Sequence, residues 1–448
     1  MTGIKEKVSA FLGHYGFSLH GLSADAVADA LVYDMKQGLD HAAASGGFAD
    51  GMQAMIPMWC VPPAAVPADK TVIVIDAGGT NFRSCLVSFG HDGAPVISEF
   101  EKKSMPGSES DRTYSKLEFY DAMAERLDHL KNKADTIGFC FSYAMEILRN
   151  GDGRITELSK EINAPEIVGT CVGECLADAL VRRGWNRPRR IVLLNDTAAA
   201  LMAGAVYAGT GRRYSSYAGF ILGTGMNSAY IESEPVGKLA GTAGKLPARQ
   251  IVVTEAGAFD RLPLSVFDRT LDERSRHRGR FIMEKMCSGA YLGALADIML
   301  QHAIADGLFC EQCARRLAAA GPLQLYDLDR FLYTPYDVSA KLAGALKDAP
   351  VEDYDTLYLL LDALIERAAR LAAALIAAAV IKSGQGTHPV QPVCVVCNGT
   401  TFYKTHALKD RVQTQLADIL TARRGIYFEL VSVENDITIG SAAAALSL

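Results

Sequence analysis

Val27, Leu31, Met35 and Leu39 recur at helical spacing just after Ser23, whose hydroxyl can accept from the open amides of a first turn. That pattern predicts an N-capped amphipathic helix over residues 24–39, ended by the proline-rich segment 57–67. The period then shortens. Residues 71–75 form a β-branched run that stops at Asp76 and two glycines, and strand-like runs follow at 85–89 and 96–102. Three successive runs of this kind predict an antiparallel meander. A helical pattern over 116–130 leads to a strand at 136–141.

The second half repeats the theme. Residues 191–194 end at Asn195-Asp196, and residues 219–222 end at a glycine turn before a further strand at 228–232. Helical periodicity over 355–383 and 404–423 flanks an apolar strand at 393–397. Strands mixed with helices in both halves place the chain in the α/β class as two similar units, with a cleft between them.

Composition agrees with that division. At 448 residues the chain exceeds the length at which one hydrophobic core stops growing, and its 49% hydrophobic content supplies more than one. Its 45 basic and 51 acidic residues give a net charge of −6, and no long basic run offers a footprint for nucleic acid; a small-molecule substrate is expected. The longest apolar run, 371–381, is shorter than the roughly 20 residues of a bilayer span and reads as a buried helix. The first twenty residues lack the apolar stretch and cleavage site of a secretory signal, and ten scattered cysteines fit a reducing cytoplasm. Cys310 with Cys313, and Cys394 with Cys397, spell CxxC twice. About 80 residues separate the pairs, so buried thiols are expected in preference to one zinc site.

The candidate chemistry lies at the strand ends. In Asp76-Ala-Gly78-Gly79-Thr80-Asn81-Phe-Arg83, adjacent glycines let backbone amides approach a phosphate, Thr80 can donate a hydroxyl, and Asp76 can hold hydrated Mg²⁺. Gly223-Thr224-Gly225 is a second such turn, able to grip the same polyphosphate from the other side. Neither fits the rival nucleotide loops. Position 228 is serine where a dinucleotide loop has its third glycine, and Leu246 follows Gly244-Lys245 where a P-loop has Ser or Thr.

Taken in order, Met55-Ile-Pro57, the 76–83 loop, Gly138-Phe-Cys-Phe-Ser142, Leu158-Ser-Lys160, Leu194-Asn-Asp-Thr197, 223–227, Thr254-Glu-Ala-Gly-Ala-Phe259, Met283-Glu-Lys-Met-Cys-Ser-Gly289 and Asn398-Gly-Thr-Thr-Phe-Tyr-Lys404 resemble the blocks of the hexokinase family. The resemblance spans nearly the whole chain and implies the actin-like and sugar-kinase superfamily: two ribonuclease-H-like domains flanking an interdomain cleft. It implies a transfer of the γ-phosphoryl group of ATP, with Mg²⁺, to the 6-hydroxyl of glucose or a related hexose. Asp196 then resembles the catalytic base, with capping of the helix after it as the alternative role. Ser142, Ser159, Lys160, Asn195, Asn227, Glu255 and Glu284 are similar to the sugar contacts. Asp76 falls in the metal region, Gly78, Gly79, Thr80, Asn81 and Arg83 in the first phosphate loop, and Gly223 with Thr224 in the second. Asn398, Gly399 and Thr400 resemble the adenosine turn, and Gly440, before a small-residue helix at 441–445, the glycine of the family's last segment near the nucleotide.

The sequence departs from the family around both pockets. Ala256 stands where an aromatic is usual, no proline follows Tyr143, Leu158 replaces a common tryptophan and Ser159 a threonine, and Asn398 replaces aspartate. The resemblance divides the chain into a small unit, 70–194 with 440–448, and a large one, 1–69 with 195–439. The rivals are a kinase for mannose, fructose or an amino sugar, a sugar-binding regulatory protein without turnover, and a filament or chaperone ATPase. The expected partner is a hexose, with neither nucleic acid nor membrane, and the chain is expected to act as a monomer or homodimer.

Overall fold

Two sheets arise from the two strand-rich regions in the computed structural model, which describes residues 2–19, 21–41, 52–63, 68–108, 112–158, 162–208, 211–240 and 246–447. A short edge strand, β1 (Ile56–Pro57), precedes β2 (Lys70–Ala77), β3 (Asn81–Phe89), β4 (Pro95–Ser104) and β5 (Thr136–Phe141). The hairpin β6 (Ala144–Ile147) and β7 (Gly153–Glu157) follows, and then β8 (Arg190–Leu194). The first sheet runs β4-β3-β2-β5-β8, antiparallel through the meander and parallel from β2 to β8. Its centre is the β-branched run: Val72, Ile73, Val74 and Ile75 are all buried, as a strand covered on both faces requires. The outer strand β4 carries Glu99, Glu101, Lys102 and Lys103, charges that blunt an open edge.

The second region supplies β9 (Ser216–Leu222), β10 (Met226–Glu232), β11 (Gln250–Val253), β12 (Val393–Asn398) and β13 (Phe428–Val431). Its sheet runs β1-β11-β10-β9-β12-β13, again a three-strand meander extended by two parallel strands. Between β11 and β12 lies a large helical insert, whose spine is the helix Val351–Lys382. That helix packs against Thr2–His14, Ala24–Asp40 and Leu408–Leu416, and its last turn pairs Lys382 with buried Glu232 of β10. The apolar run 371–381 lies within it, and no helix among the described residues is long and apolar enough to cross a membrane.

The final helix of each region packs on the other region's sheet. Asp196–Ala208 leaves β8 but packs on β9, β10 and β12, whereas Asp436–Leu446 leaves β13 but packs on β2, β5 and β8. The two helices also pack on each other. Close approach depends on glycine in the middle of each sheet: a Cβ at Gly138 of β5 would overlap the Ser441 carbonyl, and one at Gly219 of β9 the Thr197 carbonyl.

Several expected boundaries shift. Ser23 caps the helix Ala24–Asp40 through Ala26 N–H (3.3 Å), as the pattern predicts. The helix expected at 116–130 ends at Arg126 and tightens into a 3₁₀ turn, Asp128–Leu130. The stretch 404–423 breaks at Ala407, whose φ of 53° no helix continues through, leaving Thr400–Lys404 and Leu408–Leu416 as separate helices. The last helix begins at Asp436 and not at 441, because the β-branched Ile437-Thr438-Ile439 hides its first turn from propensity.

Candidate active site

A cleft of about 1020 Å³ opens between the two sheets, and most of the residues singled out by the sequence line it. The first unit contributes Gly78, Gly79, Thr80, Asn81, Arg83 and Ser142. Thr224, Asn227, Glu255 and Glu284 face them from the second unit, and Asn195 with Asp196 stands at the junction.

Asp196 is the first residue of the helix that crosses to the second sheet, one position earlier than the sequence pattern predicts. One of its oxygens accepts from Thr197 N–H at 2.7 Å and from the Thr197 hydroxyl at 3.1 Å. The same amide donates to Asn195 Oδ1 at 2.8 Å. Capping and cleft-facing placement therefore coexist: the helix start fixes the carboxylate while the residue lines the cavity. The same helix N-terminus favours phosphate nearby.

Glu255 and Glu284 are both held by features that no local pattern reveals. Asn227 donates from Nδ2 to Glu255 Oε1 (2.8 Å), while its Oδ1 accepts from the amides of Glu255 (3.0 Å) and Ser228 (2.8 Å). Glu255 itself has φ 55° and ψ 42°, a left-handed conformation uncommon for a non-glycine residue and a frequent mark of functional sites. Glu284 accepts from Met226 N–H at 3.0 Å, lying directly over the second glycine turn. A Cβ on Gly225 would meet its Oε2 at 2.7 Å, so the turn's glycine makes room for the carboxylate. The neighbouring Lys285 is buried, not solvated: it donates to Asp272 (2.6 Å) and to the His277 carbonyl (2.6 Å). That pins the loop bearing Arg276 and His277, two cleft residues the sequence reading did not identify, to the helix bearing Glu284.

The two glycine turns are built differently. The first closes with Gly78 N–H on Asn81 O (3.1 Å), and behind it Asp76 pairs with Arg83 at 2.7 Å across the β2–β3 register. A Cβ at Gly78 would meet nothing within 4 Å, so this turn faces open space. The second closes with Gly223 N–H on Gly225 O (3.0 Å) and is braced from outside. Its Gly223 carbonyl accepts from the Thr401 hydroxyl (2.9 Å) and from Gly289 N–H (2.9 Å), and Ala290 N–H reaches Thr224 O at 3.2 Å. The adenosine-like turn and the helix Gly289–Ala305 thus support the same loop.

Asp436 is a further residue missed in the sequence. Its carboxylate accepts from Asn398 Nδ2 at 2.7 and 2.9 Å and from Ile437 N–H at 2.8 Å. Burial pushes its pKa up, these hydrogen bonds pull it down, and the charges of Asp196 and Asp76 raise it further. The aspartate usual at position 398 is absent, and a carboxylate stands one hydrogen bond away instead. Only its place before the small-residue segment could have signalled it.

Some expected site residues lie elsewhere. Asp76, Gly223, Asn398, Gly399 and Thr400 do not line the cavity. Gly440 is four residues inside the last helix, where a Cβ would overlap the Ala199 carbonyl; it serves the crossing of the two helices and is not a cavity residue. Ser159 and Lys160 fall outside the described residues.

Comparison with known proteins agrees with this geometry. Two family models, both described as hexokinase, match residues 14–206 and 217–447. Hexokinase-5 of Oryza sativa subsp. japonica is 29% identical over 413 residues, covering 86% of this chain and 78% of its own. Hexokinase-1 of Spinacia oleracea is 32% identical over 289 residues, 61% of this chain and 56% of its own. Among solved structures, a hexokinase from Schistosoma mansoni complexed with glucose superposes with a TM-score of 0.77 at 23% identity, covering 100% of this chain and 99% of that one. A second solved hexokinase gives 0.79 at 21% identity with full coverage of both chains. These two structural likenesses establish the actin-like, two-domain fold.

Proposed function

The chain belongs to the hexokinase family, and from that premise we propose that Asp196 is the base in its transfer of the ATP γ-phosphoryl group to the 6-hydroxyl of glucose or a closely related hexose. It is an ATP-dependent sugar phosphotransferase. The observation that carries the residue assignment is that Asp196, the two glycine turns and the Asn227–Glu255–Glu284 set meet at one cleft. A binding protein without turnover gives no reason for a carboxylate fixed at a helix start among them. A filament or chaperone ATPase gives none for the sugar-side set.

Asn227, Glu255, Glu284, Asn195 and Ser142 hold the hexose by its hydroxyls, together with Ser159 and Lys160. Asp196 accepts the proton of the 6-hydroxyl as that oxygen attacks, a contribution of about 10²–10⁴-fold for a placed base. The amides of Gly79 and Thr80 in the first turn and of Thr224 in the second receive the phosphate oxygens, where charge accumulates in the transition state. Arg83 lines the same wall, its guanidinium positioned by Asp76.

The donor set suits Mg²⁺. Asp76 and Asp436 are oxygen donors, and Asp436 is held by neutral hydrogen-bond donors with the like charges of Asp196 and Asp76 around it, so a divalent ion would relieve the repulsion. When bound, Mg²⁺ supplies charge neutralisation at the phosphates. In this assignment Asp76 and Asp436 would hold its water shell.

Residues 70–194 with the last helix, and the remainder, are then the two bodies that close on the sugar, excluding the water that competes with the 6-hydroxyl. All ten cysteines are unbridged, which suits a cytoplasmic enzyme. A panel of glucose, mannose, fructose and glucosamine in a coupled ADP-release assay with Mg²⁺ tests the reading. Turnover on glucose or a close relative that disappears in Asp196→Ala is expected; hexose binding with no ADP formation in the wild type would refute it.

A further inference from the structure

One cluster of ligating side chains takes no part in the cleft. Cys310 is the N-cap of the helix Glu311–Ala319 and Cys313 stands one turn further, so both thiols lie on the same side of its start. Asp353 reaches them from the first turn of the spine helix Val351–Lys382. The two sulfurs and a carboxylate oxygen lie within 4.8 Å of one another. Cys313 is 1% exposed and Asp353 5%, while Cys310 is half-buried and opens the cluster to solvent on one side.

Asp353 is a buried anion with weak support. It accepts from Cys310 N–H at 3.2 and 3.4 Å and from the Cys313 thiol, and none of the ion pairs among the described residues includes it. A buried carboxylate without a cation is costly.

We propose that Cys310, Cys313 and Asp353 bind a zinc-type divalent cation, with water completing a tetrahedron on the Cys310 side. Two thiolates and one carboxylate are donors that zinc accepts and that magnesium, which takes oxygen ligands, does not. Binding releases the two thiol protons to solvent and forms two metal–sulfur bonds and one metal–oxygen bond. Tetrahedral zinc sets such donors about 3.5–3.8 Å apart, so the side chains need only small rotations from their present spacing. The ion joins the helix Glu311–Ala319 to the head of the spine helix, whose other end is anchored on β10 by Lys382 and Glu232.

Two close thiols have a rival fate as a disulfide. A disulfide would use the two sulfurs and leave the Asp353 carboxylate, the third donor of the group, buried without a cation; a metal engages all three. The other CxxC pair is built differently: Cys394 and Cys397 are three apart on β12, so their side chains leave opposite faces of the sheet.

The test uses the full chain equilibrated with zinc and then dialysed against a weak chelator. The wild type is expected to retain about one zinc per chain. Cys310→Ser and Asp353→Asn are each expected to lower affinity at least about tenfold, and Cys394→Ser to retain the metal. Cobalt loading adds an independent reading, a thiolate charge-transfer band in the wild type that Cys310→Ser loses. Thermal melts of the metal-free variants check folding, and half-exposed Cys310 remains testable if Asp353→Asn is unstable. A wild type that retains no zinc, equal retention by the wild type and both ligand variants, or isolation of a metal-free Cys310–Cys313 disulfide overturns the proposal.

Discussion

The two sheets share one topology but hold their glycine turns differently. The turn between β2 and β3 is backed by the Asp76–Arg83 ion pair, by Met105 N–H on Thr80 O (3.0 Å) and by the Tyr143 hydroxyl on Gly78 O (3.4 Å), and its Gly78 faces open space. The turn between β9 and β10 is braced by Thr401, Gly289 and Ala290 and supports Glu284. Each turn is tied to its own unit, but the second is filled on its cleft side by Glu284, whereas the first, open at Gly78, is placed to meet a phosphate as the units close. The difference assigns them distinct parts: the second turn is the scaffold on which the sugar site is built, and the first is the jaw that completes the phosphate site.

Asp196 stands between the turns, so its removal has the largest expected effect. Asp196→Ala should lower kcat by about 10²–10⁴-fold while calorimetric glucose affinity stays near that of the wild type. Near-normal turnover would take Asp196 out of the mechanism. The next largest effect tests the asymmetry itself. In Gly225→Ala the new Cβ meets Glu284 Oε2 at 2.7 Å, so hexose affinity should fall by about ten- to a hundredfold, a loss of roughly 1–3 kcal/mol. Gly78→Ala places its Cβ in open cleft space and should raise KM for ATP with hexose affinity kept. If both variants lost sugar and nucleotide binding together, the division between scaffold and jaw would collapse.

Stability should be symmetric where chemistry is not. Gly138→Ala and Gly219→Ala each drive a Cβ into the backbone of a crossing helix, and each should cost about 1–3 kcal/mol in denaturant melts. A large loss in one alone would show that only one sheet depends on the exchanged helix. The smallest expected signal is global: saturating hexose should reduce the radius of gyration in solution scattering and slow proteolysis as the jaw closes. Unchanged scattering and unchanged cleavage would argue for a cleft already assembled without sugar.

Much of this architecture was legible beforehand because it rests on local rules. Burial on both faces forces the β-branched run of β2 to be apolar throughout, and Ser23 announces a helix start by its own hydroxyl. The helices between β11 and the spine helix were far less legible. Gly289–Ala305 is apolar almost all round, and such a segment carries no amphipathic stripe from which to read its period. Of the site, the glycines, Asp196, Asn227 and the two glutamates could be named from their order along the chain. Arg276 and His277 could not, since nothing next to them in sequence sets them apart, and Asp436 had only its place before the small-residue segment.

What the sequence determined by itself is the set of elements and the chemical types available: strands ending in glycine and acid, a base at a helix start, and polar groups enough for a polyol. These follow from neighbours a few residues apart. The tertiary structure alone decided the exchange of the last helices between sheets, the bracing of one turn by residues 60 to 180 positions away, the Asn398–Asp436 pair, and the meeting of Cys310, Cys313 and Asp353. Each of these is a contact between distant segments. The packing of whole sheets and helices sets it, and no local period records it.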